Sequence, residues 1–409
     1  MKNYSKDIFV NKLRELDWSN VTNINDNVNE ALQIFNTMLT EAIDHVAPKK
    51  DIRIRGRTEP WMNDIILAAI RDRDKTLFYA NRYKNNSEYR KAYTNRRNRV
   101  TNLIKRTKAK YFCDKVKENK NKHDKLWSTL KTEIAYENKG GENSNIGLNI
   151  GNELVCDASK IANEFNRFFL TVAGDLVKKL PIIGKKFDVD SDIFKDFYKD
   201  KGIVPRSFKF KTVSDDYIYR QLIKIDPSKS TGIDDIKGIF LKDGAEVLTI
   251  AVTHLITLSI KTKTVPDLFK YAIVKPLYKK SSKLEVGNYR PVSLLCILSK
   301  VLERTVYDQA FEYLTDKEVI YEFQSGFRSS YSTDTCLINL VDHIKSLNSK
   351  KMFVGMVLMD LQKAFDTVDH KILCQKLECM GFDFTEWFIS YLENRKQIVQ
   401  ANGVRSNAA

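Results

Sequence analysis

Residues 352–370, MFVGMVLMDLQKAFDTVDH, contain the carboxylate with the clearest candidate chemistry. Eight apolar or glycine residues, 352–359, run directly into Asp360, which predicts a strand covered on both faces, with a buried helical turn as the alternative. A carboxylate at the end of a buried element is costly unless a cation pairs with it, and Mg²⁺ prefers such hard oxygen ligands. The pattern therefore indicates a metal ligand at Asp360. The alternative is a carboxylate that caps the following turn.

The residues after Asp360 predict a turn and then a helix. Phe365 and Asp366 follow it, and Asp369 has the residue type that most often caps a helix N-terminus. We predict a helix over residues 370–380 that ends at Gly381, since glycine is the common residue just past a helix C-terminus.

Side chains that could hold a triphosphate or a nucleic-acid strand precede this stretch. Phosphoryl transfer needs cations that bind the phosphates and carboxylates that bind magnesium. Taken one at a time, such residues are most often ordinary surface charge. A short predicted strand at 272–277, a proline-fixed turn and a polar loop at 323–333 carry them. In chain order they are Lys275, Lys279, Lys280, Arg290, Gln324 and Arg328.

The charge of the chain points to a polyanionic partner. The formal net charge is +16 and the pI about 9.3, and residues 51–130 hold 22 lysines and arginines against 9 acidic residues. A membrane surface would also attract such a segment, but it lacks an amphipathic helix with a Trp/Leu face. Nucleic acid is therefore the expected partner, and no membrane partner is expected.

The strongest basic pattern lies in a predicted helical region, 87–131, where aromatic residues alternate with lysine and arginine. Cations bind phosphates and aromatic rings stack on bases, so this composition favours nucleic-acid binding. The alternative is a solvated basic helix whose aromatics pack into the protein. The candidate contacts are Arg96, Arg97, Arg99, Lys105 and Arg106.

Cysteine and hydropathy patterns narrow the class of protein. Six scattered cysteines without a CxxC pair argue against a zinc site and predict reduced, buried thiols. The N-terminus has mixed charge and no secretory pattern. The longest apolar stretch, 247–260, is too short and polar to span a bilayer and predicts a core helix. We expect an intracellular protein, in the nucleus, the cytoplasm or both.

We predict an α+β fold with three segments. Residues 1–134 are a basic helical connector that binds nucleic acid, with an amphipathic helix at 25–46 and a second helix at 62–82. Residues 135–210 begin with a Gly/Asn-rich loop that marks a boundary. Residues 211–409 form the domain that carries the candidate chemistry, ending in a hairpin about Asn402-Gly403.

Four motifs in this order resemble the reverse transcriptase of non-LTR (LINE-type) retrotransposons. The upstream stretches EPWMNDII, RNRVTNLIKRTKAKYF and IANEFNRFF resemble the connector of the same family. The resemblance covers about half of the chain closely. The motifs are KSTGIDDIKGIFLK (229–242), YAIVKPLYKKSSKLEVGNYRPVSLLCILSKVLE (271–303), FQSGFRSSYST (323–333) and MDLQKAFDTVDH (359–370).

The resemblance implies two-metal, RNA-templated DNA synthesis with Mg²⁺ or Mn²⁺, an RNA template, a DNA primer and deoxynucleoside triphosphates. It implies a right-hand polymerase fold with fingers and palm; the oligomeric state is left open. Asp360 would be a catalytic metal ligand, with the Leu361 carbonyl as a second contact. Phe365 would lie under the sugar of the incoming nucleotide and exclude a 2′-OH.

The resemblance also implies roles for the remaining candidates. Arg290 would cover the nucleotide and contact its triphosphate, helped by Lys279 or Lys280. Gln324 and Arg328 would lie against the template strand. Asp366 and Asp369 are expected to be structural.

Part of the family's pattern is missing from these residues. The aromatic-Ala-Asp-Asp hairpin and the PQGS-like motif before it do not occur, and the adjacent pairs Asp215-Asp216 and Asp234-Asp235 lie far upstream, in a predicted helix start and a loop. The expectation is a chain truncated within the palm and inactive as a polymerase on its own. The alternative function is a catalytically inactive nucleic-acid-binding remnant of a retroelement.

Overall fold

The computed structural model describes residues 4–49, 61–83, 86–119, 146–151, 153–178, 196, 198–204, 206–383 and 385–409. The end of the predicted helical region, 120–131, and most of the Gly/Asn-rich loop lie outside the described residues. The chain divides into two compact units, Met1–Lys49 with Asn145–Ala409, and Lys50–Ser144.

The elements mix helix and strand, which confirms the predicted α+β class. The helices are α1 (Lys6–Glu15), α2 (Ser19–Thr22), α3 (Val28–Val46), α4 (Asp64–Arg82), α5 (Ser87–Glu118), α6 (Ala158–Lys178), α7 (Asp215–Ile223), α8 (Gly238–Asp243), α9 (Ala245–Lys261), α10 (Ile297–Asp316), α11 (Thr333–Ser349), α12 (His370–Cys379) and α13 (Thr385–Leu392). The strands are β1 (Leu148–Ile150), β2 (Glu153–Val155), β3 (Tyr271–Tyr278), β4 (Tyr289–Leu294), β5 (Lys396–Ala401) and β6 (Val404–Arg405).

Within its described residues, 61–83 and 86–119, the unit Lys50–Ser144 is a pair of helices with a small core. The predicted helix at 62–82 is α4, and its N-terminus is capped by the Asn63 side chain, which accepts from the Ile66 amide at 3.0 Å. The α5 helix packs against α4 but buries only Val100. Nearly all of its basic side chains therefore face solvent.

The core of the unit Met1–Lys49 with Asn145–Ala409 is built around α9. The predicted amphipathic helix at 25–46 is α3, which begins where Asn27 caps the amides of Asn29 and Glu30. Its apolar stripe packs with α9 and α10 in one cluster. The 247–260 stretch is the buried helix α9, as predicted. Among the described residues, no helix combines the length and the apolarity needed to cross a membrane.

A four-stranded sheet with the order β4-β3-β5-β6 joins distant parts of the sequence. Strand β3 pairs antiparallel with β4 and parallel with β5, which places Val274 opposite Val399. The predicted C-terminal hairpin is present as β5 and β6. Asn402 and Gly403 have φ values of 50° and 78°, the positive angles that a type I′ hairpin turn requires.

The predicted buried strand at 352–359 is wrong. These residues form no helix or strand and are exposed: Phe353 is fully accessible and Met359 is 88% exposed. A strand needs a neighbour that satisfies its backbone groups, and within the described parts of the chain no strand pairs with this run. The run is apolar, as the sequence shows, but burial also requires a partner surface, and no described part of the chain covers it.

The functional segments 1–134, 135–210 and 211–409 stay a prediction. The two compact units are a division by packing, and they place α3 in the core around α9. One other expectation differs from the structure. The prediction of buried thiols is wrong for Cys113, Cys156 and Cys336, which are exposed free cysteines. Scattered spacing shows that cysteines are unpaired, but not which face of a helix they occupy.

The KSTGIDD loop is anchored against the start of α10. A Cβ added to Gly232 would lie 2.5 Å from the carbonyl carbon of Leu295, and closer still to the Cys296 amide nitrogen. Burial raises the pKa of the Asp234 carboxyl, and the pKa of the adjacent Cys296 thiol is raised to about 12, again mainly by burial. Outside this contact, Lys49 pairs with Asp235 at 2.6 Å.

We predict that Gly232→Ala lowers the free energy of unfolding by about 1 to 3 kcal/mol, because a side chain is forced into a filled space made of backbone. Urea denaturation followed by circular dichroism measures this change. Gly355→Ala is the control, since nothing lies within 4 Å of its added Cβ. Equal stability of the two variants would contradict the close approach.

We predict that burial of Asp234 makes stability depend on pH. Because the folded-state pKa is raised above the ordinary 3.8, the carboxyl adds stability at pH below the unfolded pKa, and this is lost as pH rises through the folded pKa. Asp234→Asn should therefore be more favourable, relative to the parent, at about pH 7 than at about pH 4. Urea unfolding of both chains at the two pH values measures the difference. A difference that is independent of pH would show that the carboxyl is not desolvated.

Candidate functional site

The β3–β4 hairpin brings together the cations expected to bind a triphosphate. Leu277 lies directly opposite Arg290, and Lys275 opposite Val292. Directly opposed side chains lie on the same face of a sheet, as do residues two apart along a strand. Lys275 and Arg290 therefore share one face, which is exposed. Burial on the other face, including Val274, fixes this orientation.

The connection between the two strands carries the other two candidate lysines. Lys279 and Lys280 are both exposed, and the Lys279 amide donates to the Asn288 carbonyl at 2.9 Å. The Asn288 side chain donates to the Ser282 carbonyl at 2.9 Å, so the connection is closed by local hydrogen bonds. The hairpin thus carries four cations at exposed positions, and its backbone is held by strand pairing and local hydrogen bonds.

Tyr289 fixes the hairpin to the rest of the unit. It is buried, its ring meets that of Phe165 on α6 edge-on at 4.9 Å, and its hydroxyl donates to the Lys283 carbonyl at 2.7 Å. Burial raises the pKa of its phenol. Sequence reasoning assigned no role to Tyr289. Its position directly before Arg290 could have indicated burial, because neighbouring residues of a strand face opposite sides of the sheet.

The loop at 323–333 is organised by Arg328. Its Nη1 donates to the carbonyls of Tyr321, Glu322 and Gln324 at 3.4, 3.0 and 3.3 Å, and its guanidinium lies 4.1 Å from the centre of the Tyr331 ring. The Gln324 side chain donates to the Gly326 carbonyl at 3.1 Å. Both predicted template contacts therefore make bonds within their own loop, where Arg328 is a structural centre.

Asp360 is exposed and, within the described residues, makes no hydrogen bond or ion pair. It does not cap the following turn, which was the alternative for this residue. Leu361 is exposed beside it. The carboxylate is free to bind a cation that the chain itself does not supply.

The loop at 323–333 meets the Asp360 segment through two aromatic rings. Phe365 is 78% exposed, and its ring lies 5.9 Å from that of Phe327, edge to face. Sequence reasoning missed Phe327, which lies inside the GFR motif and was a candidate on its type alone. Asp366 pairs with Lys363 at 3.9 Å. Asp369 caps α12, accepting from the Lys371 and Ile372 amides at 2.8 and 3.1 Å, as predicted.

The described residues supply one carboxylate for a metal, not a complete site. No group of three or more His, Cys, Asp or Glu side chains close enough to hold an ion occurs in the part of the chain that the structure describes. Magnesium is often bound by one or two protein carboxylates with substrate phosphates, so Asp360 suits one ligand position. It does not suffice for a pair of ions.

The basic residues of α5 differ in their availability. Arg97, Arg99, Lys105 and Arg106 are exposed, whereas the Arg96 guanidinium lies 2.7 Å from the Asp72 carboxylate of α4. Arg96 therefore links the two helices, and its charge is partly compensated. The prediction that this helix contacts nucleic acid therefore depends most on the other four.

Comparisons with known proteins show that most of the hairpin and the Asp360 segment are similar to one family. A sequence model described as "Reverse transcriptase (RNA-dependent DNA polymerase)" matches residues 277–406. The "Probable RNA-directed DNA polymerase from transposon BS" of Drosophila melanogaster is 27% identical over 197 residues, which are 47% of this chain and 22% of that protein. The "RNA-directed DNA polymerase from mobile element jockey" of Drosophila funebris is 33% identical over 192 residues, 45% of this chain and 20% of that protein.

A vertebrate relative extends the range of similar proteins. The "Transposon TX1 uncharacterized 149 kDa protein" of Xenopus laevis is 25% identical over 174 residues, 42% of this chain and 13% of that protein. The chain spans about a fifth of the length of the first relatives it matches. Residues 277–406 thus match the reverse transcriptase family, and just under half of the chain is similar to proteins named as RNA-directed DNA polymerases of mobile elements.

Proposed function

We propose that the chain provides the fingers and the first palm motif of a polymerase that copies RNA into DNA for a non-LTR retrotransposon. The observation that carries the proposal is the β3–β4 hairpin, which places Lys275, Lys279, Lys280 and Arg290 on exposed positions. The last three lie inside the segment that matches the reverse transcriptase family, and Lys275 lies two residues before it. The partners would be an RNA template, a DNA primer and deoxynucleoside triphosphates.

Arg290 is the proposed contact to the triphosphate. A guanidinium donates two parallel hydrogen bonds to phosphate oxygens, whereas the ammonium groups of Lys279 and Lys280 act as compact charges. The strand pairing with Leu277 and the buried ring of Tyr289 hold Arg290 in place. A cation on a supported strand loses little side-chain freedom when the phosphate binds.

Asp360, Leu361 and Phe365 are the proposed nucleotide-binding residues of the palm. Asp360 would hold a divalent ion, which supplies charge stabilisation at the transferring phosphate when bound. The main-chain carbonyl of Leu361 would add a second oxygen. Phe365 would lie under the sugar and exclude a 2′-OH; its exposed ring, braced edge-on by Phe327, supports this role.

Gln324 and Arg328 are proposed to act on the template through their loop. Since Arg328 is engaged with three carbonyls and with Tyr331, its first effect is to shape the loop. The exposed surface of that loop, beside Phe327, would then lie against the template strand.

A second candidate function is binding of nucleic acid without synthesis. The observation that favours it is the single carboxylate at the metal position, together with the separate basic helix α5. The exposed Arg97, Arg99, Lys105 and Arg106 would contact phosphates in either case, so nucleic-acid binding is common to both candidates.

We predict that purified residues 1–409 do not extend an oligo(dT) primer on poly(A) RNA with dTTP and Mg²⁺. Two-metal transfer needs more than one carboxylate, and these residues lack an aromatic-Ala-Asp-Asp hairpin. Primer extension resolved on a denaturing gel measures this.

The Asp360→Asn variant identifies the source of any synthesis that is observed. Because Asp360 has no partner in the described structure, the melting temperature of this variant should match that of the parent. Asp342→Asn, on the exposed surface of α11, is the matched control. Extension that survives Asp342→Asn but not Asp360→Asn would contradict the prediction of inactivity and identify Asp360 as catalytic.

We predict that replacing Arg97, Arg99, Lys105 and Arg106 by Gln flattens the salt dependence of RNA binding. Each lost phosphate contact should lower the slope of log affinity against log salt by about 0.7 for a single strand. Fluorescence anisotropy over a salt series measures the slope. Lys6, Lys178, Lys209 and Lys224, exposed outside the α4–α5 unit, serve as the control when all four are changed to Gln. An equal slope change in both quadruple variants would show that α5 has no special role.

A further inference from the structure

Three tyrosines stack on one another where α4 ends and α5 begins. The rings of Tyr83 and Tyr89 lie 5.5 Å apart with 23° between their planes, and those of Tyr79 and Tyr89 lie 6.0 Å apart with 25° between them. Tyr89 is thus the middle ring of three roughly parallel rings. A fourth aromatic, Phe78, meets Tyr79 edge-on at 5.7 Å.

The three stacked rings, Tyr79, Tyr83 and Tyr89, are partly exposed, although Tyr89 lies between the other two. Tyr83, at 47%, is the most accessible of the three and is an outer ring of the stack. Among the described residues none of their hydroxyls has a hydrogen-bond partner. Tyrosine used only to close a helical hairpin would be expected to bury its ring and pair its hydroxyl.

Positive charge surrounds the stack. The Arg82 guanidinium lies 5.9 Å from the centre of the Tyr83 ring, a distance at which it is attracted to the ring but not packed on it. Arg90 and Lys91 follow Tyr89 on the exposed first turns of α5. Eleven lysines and arginines and three acidic residues lie in α5, so the stack lies at the start of a basic helix.

We propose that the tyrosine stack is a platform for unpaired bases of single-stranded RNA. An exposed ring offers a flat surface on which any nucleobase can stack, and neighbouring cations bind the flanking phosphates. This inference rests on the proposed function, in which RNA is a partner, and adds to it a contact that forms only when the RNA carries bases. Stacking does not require a particular base, so binding at the platform is independent of sequence.

The choice of ligand follows from the combination of rings and charge. Cations alone would bind a duplex and a single strand alike through their phosphates. Aromatic faces are of use only with bases that are not already paired and stacked in a helix. An acidic peptide would use the charges and leave the rings without a function.

The test compares two RNAs that differ only in their bases. The 409-residue chain is titrated into a fluorescent 20-nucleotide oligouridylate and into an abasic ribose-phosphate chain of equal length, at one salt concentration, by anisotropy. We expect the base-containing RNA to bind about fivefold or more tightly, since base–aromatic stacking is worth about 1 kcal/mol or more. The double variant Tyr83→Leu/Tyr89→Leu should lose this advantage and leave the affinity for abasic RNA unchanged.

Two matched variants separate the ring from the side chain's other effects. Tyr83→Phe/Tyr89→Phe keeps the rings and should retain the advantage. Tyr219→Leu removes an exposed tyrosine of α7, outside this unit, and should change nothing. Circular dichroism establishes that the leucine variant keeps its helix content.

Each other outcome overturns the inference in a distinguishable way. Equal binding of both RNAs by the parent chain would exclude the platform while leaving phosphate binding, and hence the proposed function, intact. Equal loss for both RNAs in the leucine variant would assign the tyrosines to the stability of the helical hairpin. No binding of either RNA would overturn the platform and the proposed nucleic-acid binding together. A base-dependent loss with single-stranded DNA, but not with RNA, would overturn the choice of RNA.

Discussion

The pairing of β3 with β5 is the constraint on which the rest of the candidate site depends. These two strands are separated by more than a hundred residues, yet Ile273 lies opposite Ile398 and Val274 opposite Val399 in a parallel register. The two valines are completely buried. Because side chains alternate along a strand, burial of Val274 forces Lys275 to the opposite face. A slip of one residue would turn Lys275, the cation of β3, into the core.

The buried face of this sheet packs on α6, while most other helices form a separate core. Helix α9 is buried over much of its length and lies at the centre of the cluster that α1, α3, α7 and α10 complete. The indole nitrogen of Trp387 on α13 donates to the Ser259 hydroxyl of α9 at 3.2 Å, and Tyr391 donates to Glu303 of α10 at 3.1 Å. Burial raises the pKa of that carboxyl. These polar groups are paired, as a dry interior requires, whereas the buried Thr253 hydroxyl of α9 has no hydrogen-bond partner among the described residues.

Sequence reasoning was most successful where local chemistry decides the structure. Asp369 and the Asn402-Gly403 turn were identified because a cap or a tight turn depends on a few adjacent residues. The run at 352–359 was mistaken because apolar composition shows that burial is favourable but not which surface provides it. The roles assigned to the candidate site residues came from the family resemblance. The roles of Arg328 as the centre of its loop, and of Arg96 as a link to Asp72, depend on neighbours that the linear sequence does not reveal.

The uncovered run at 352–359 has a consequence for how the protein behaves in concentrated solution. It contains eight residues without a charge or a proline, the composition of segments that form intermolecular cross-β contacts. Lys350, Lys351 and Asp360 flank it, and such flanking charges act as gatekeepers against self-association. The net charge of +16 keeps molecules apart by mutual repulsion. Nucleic acid or high salt that neutralises this charge without covering the run at 352–359 would therefore promote aggregation. Whether the protein stays in solution would then depend on whether the run is covered before the positive charge is neutralised.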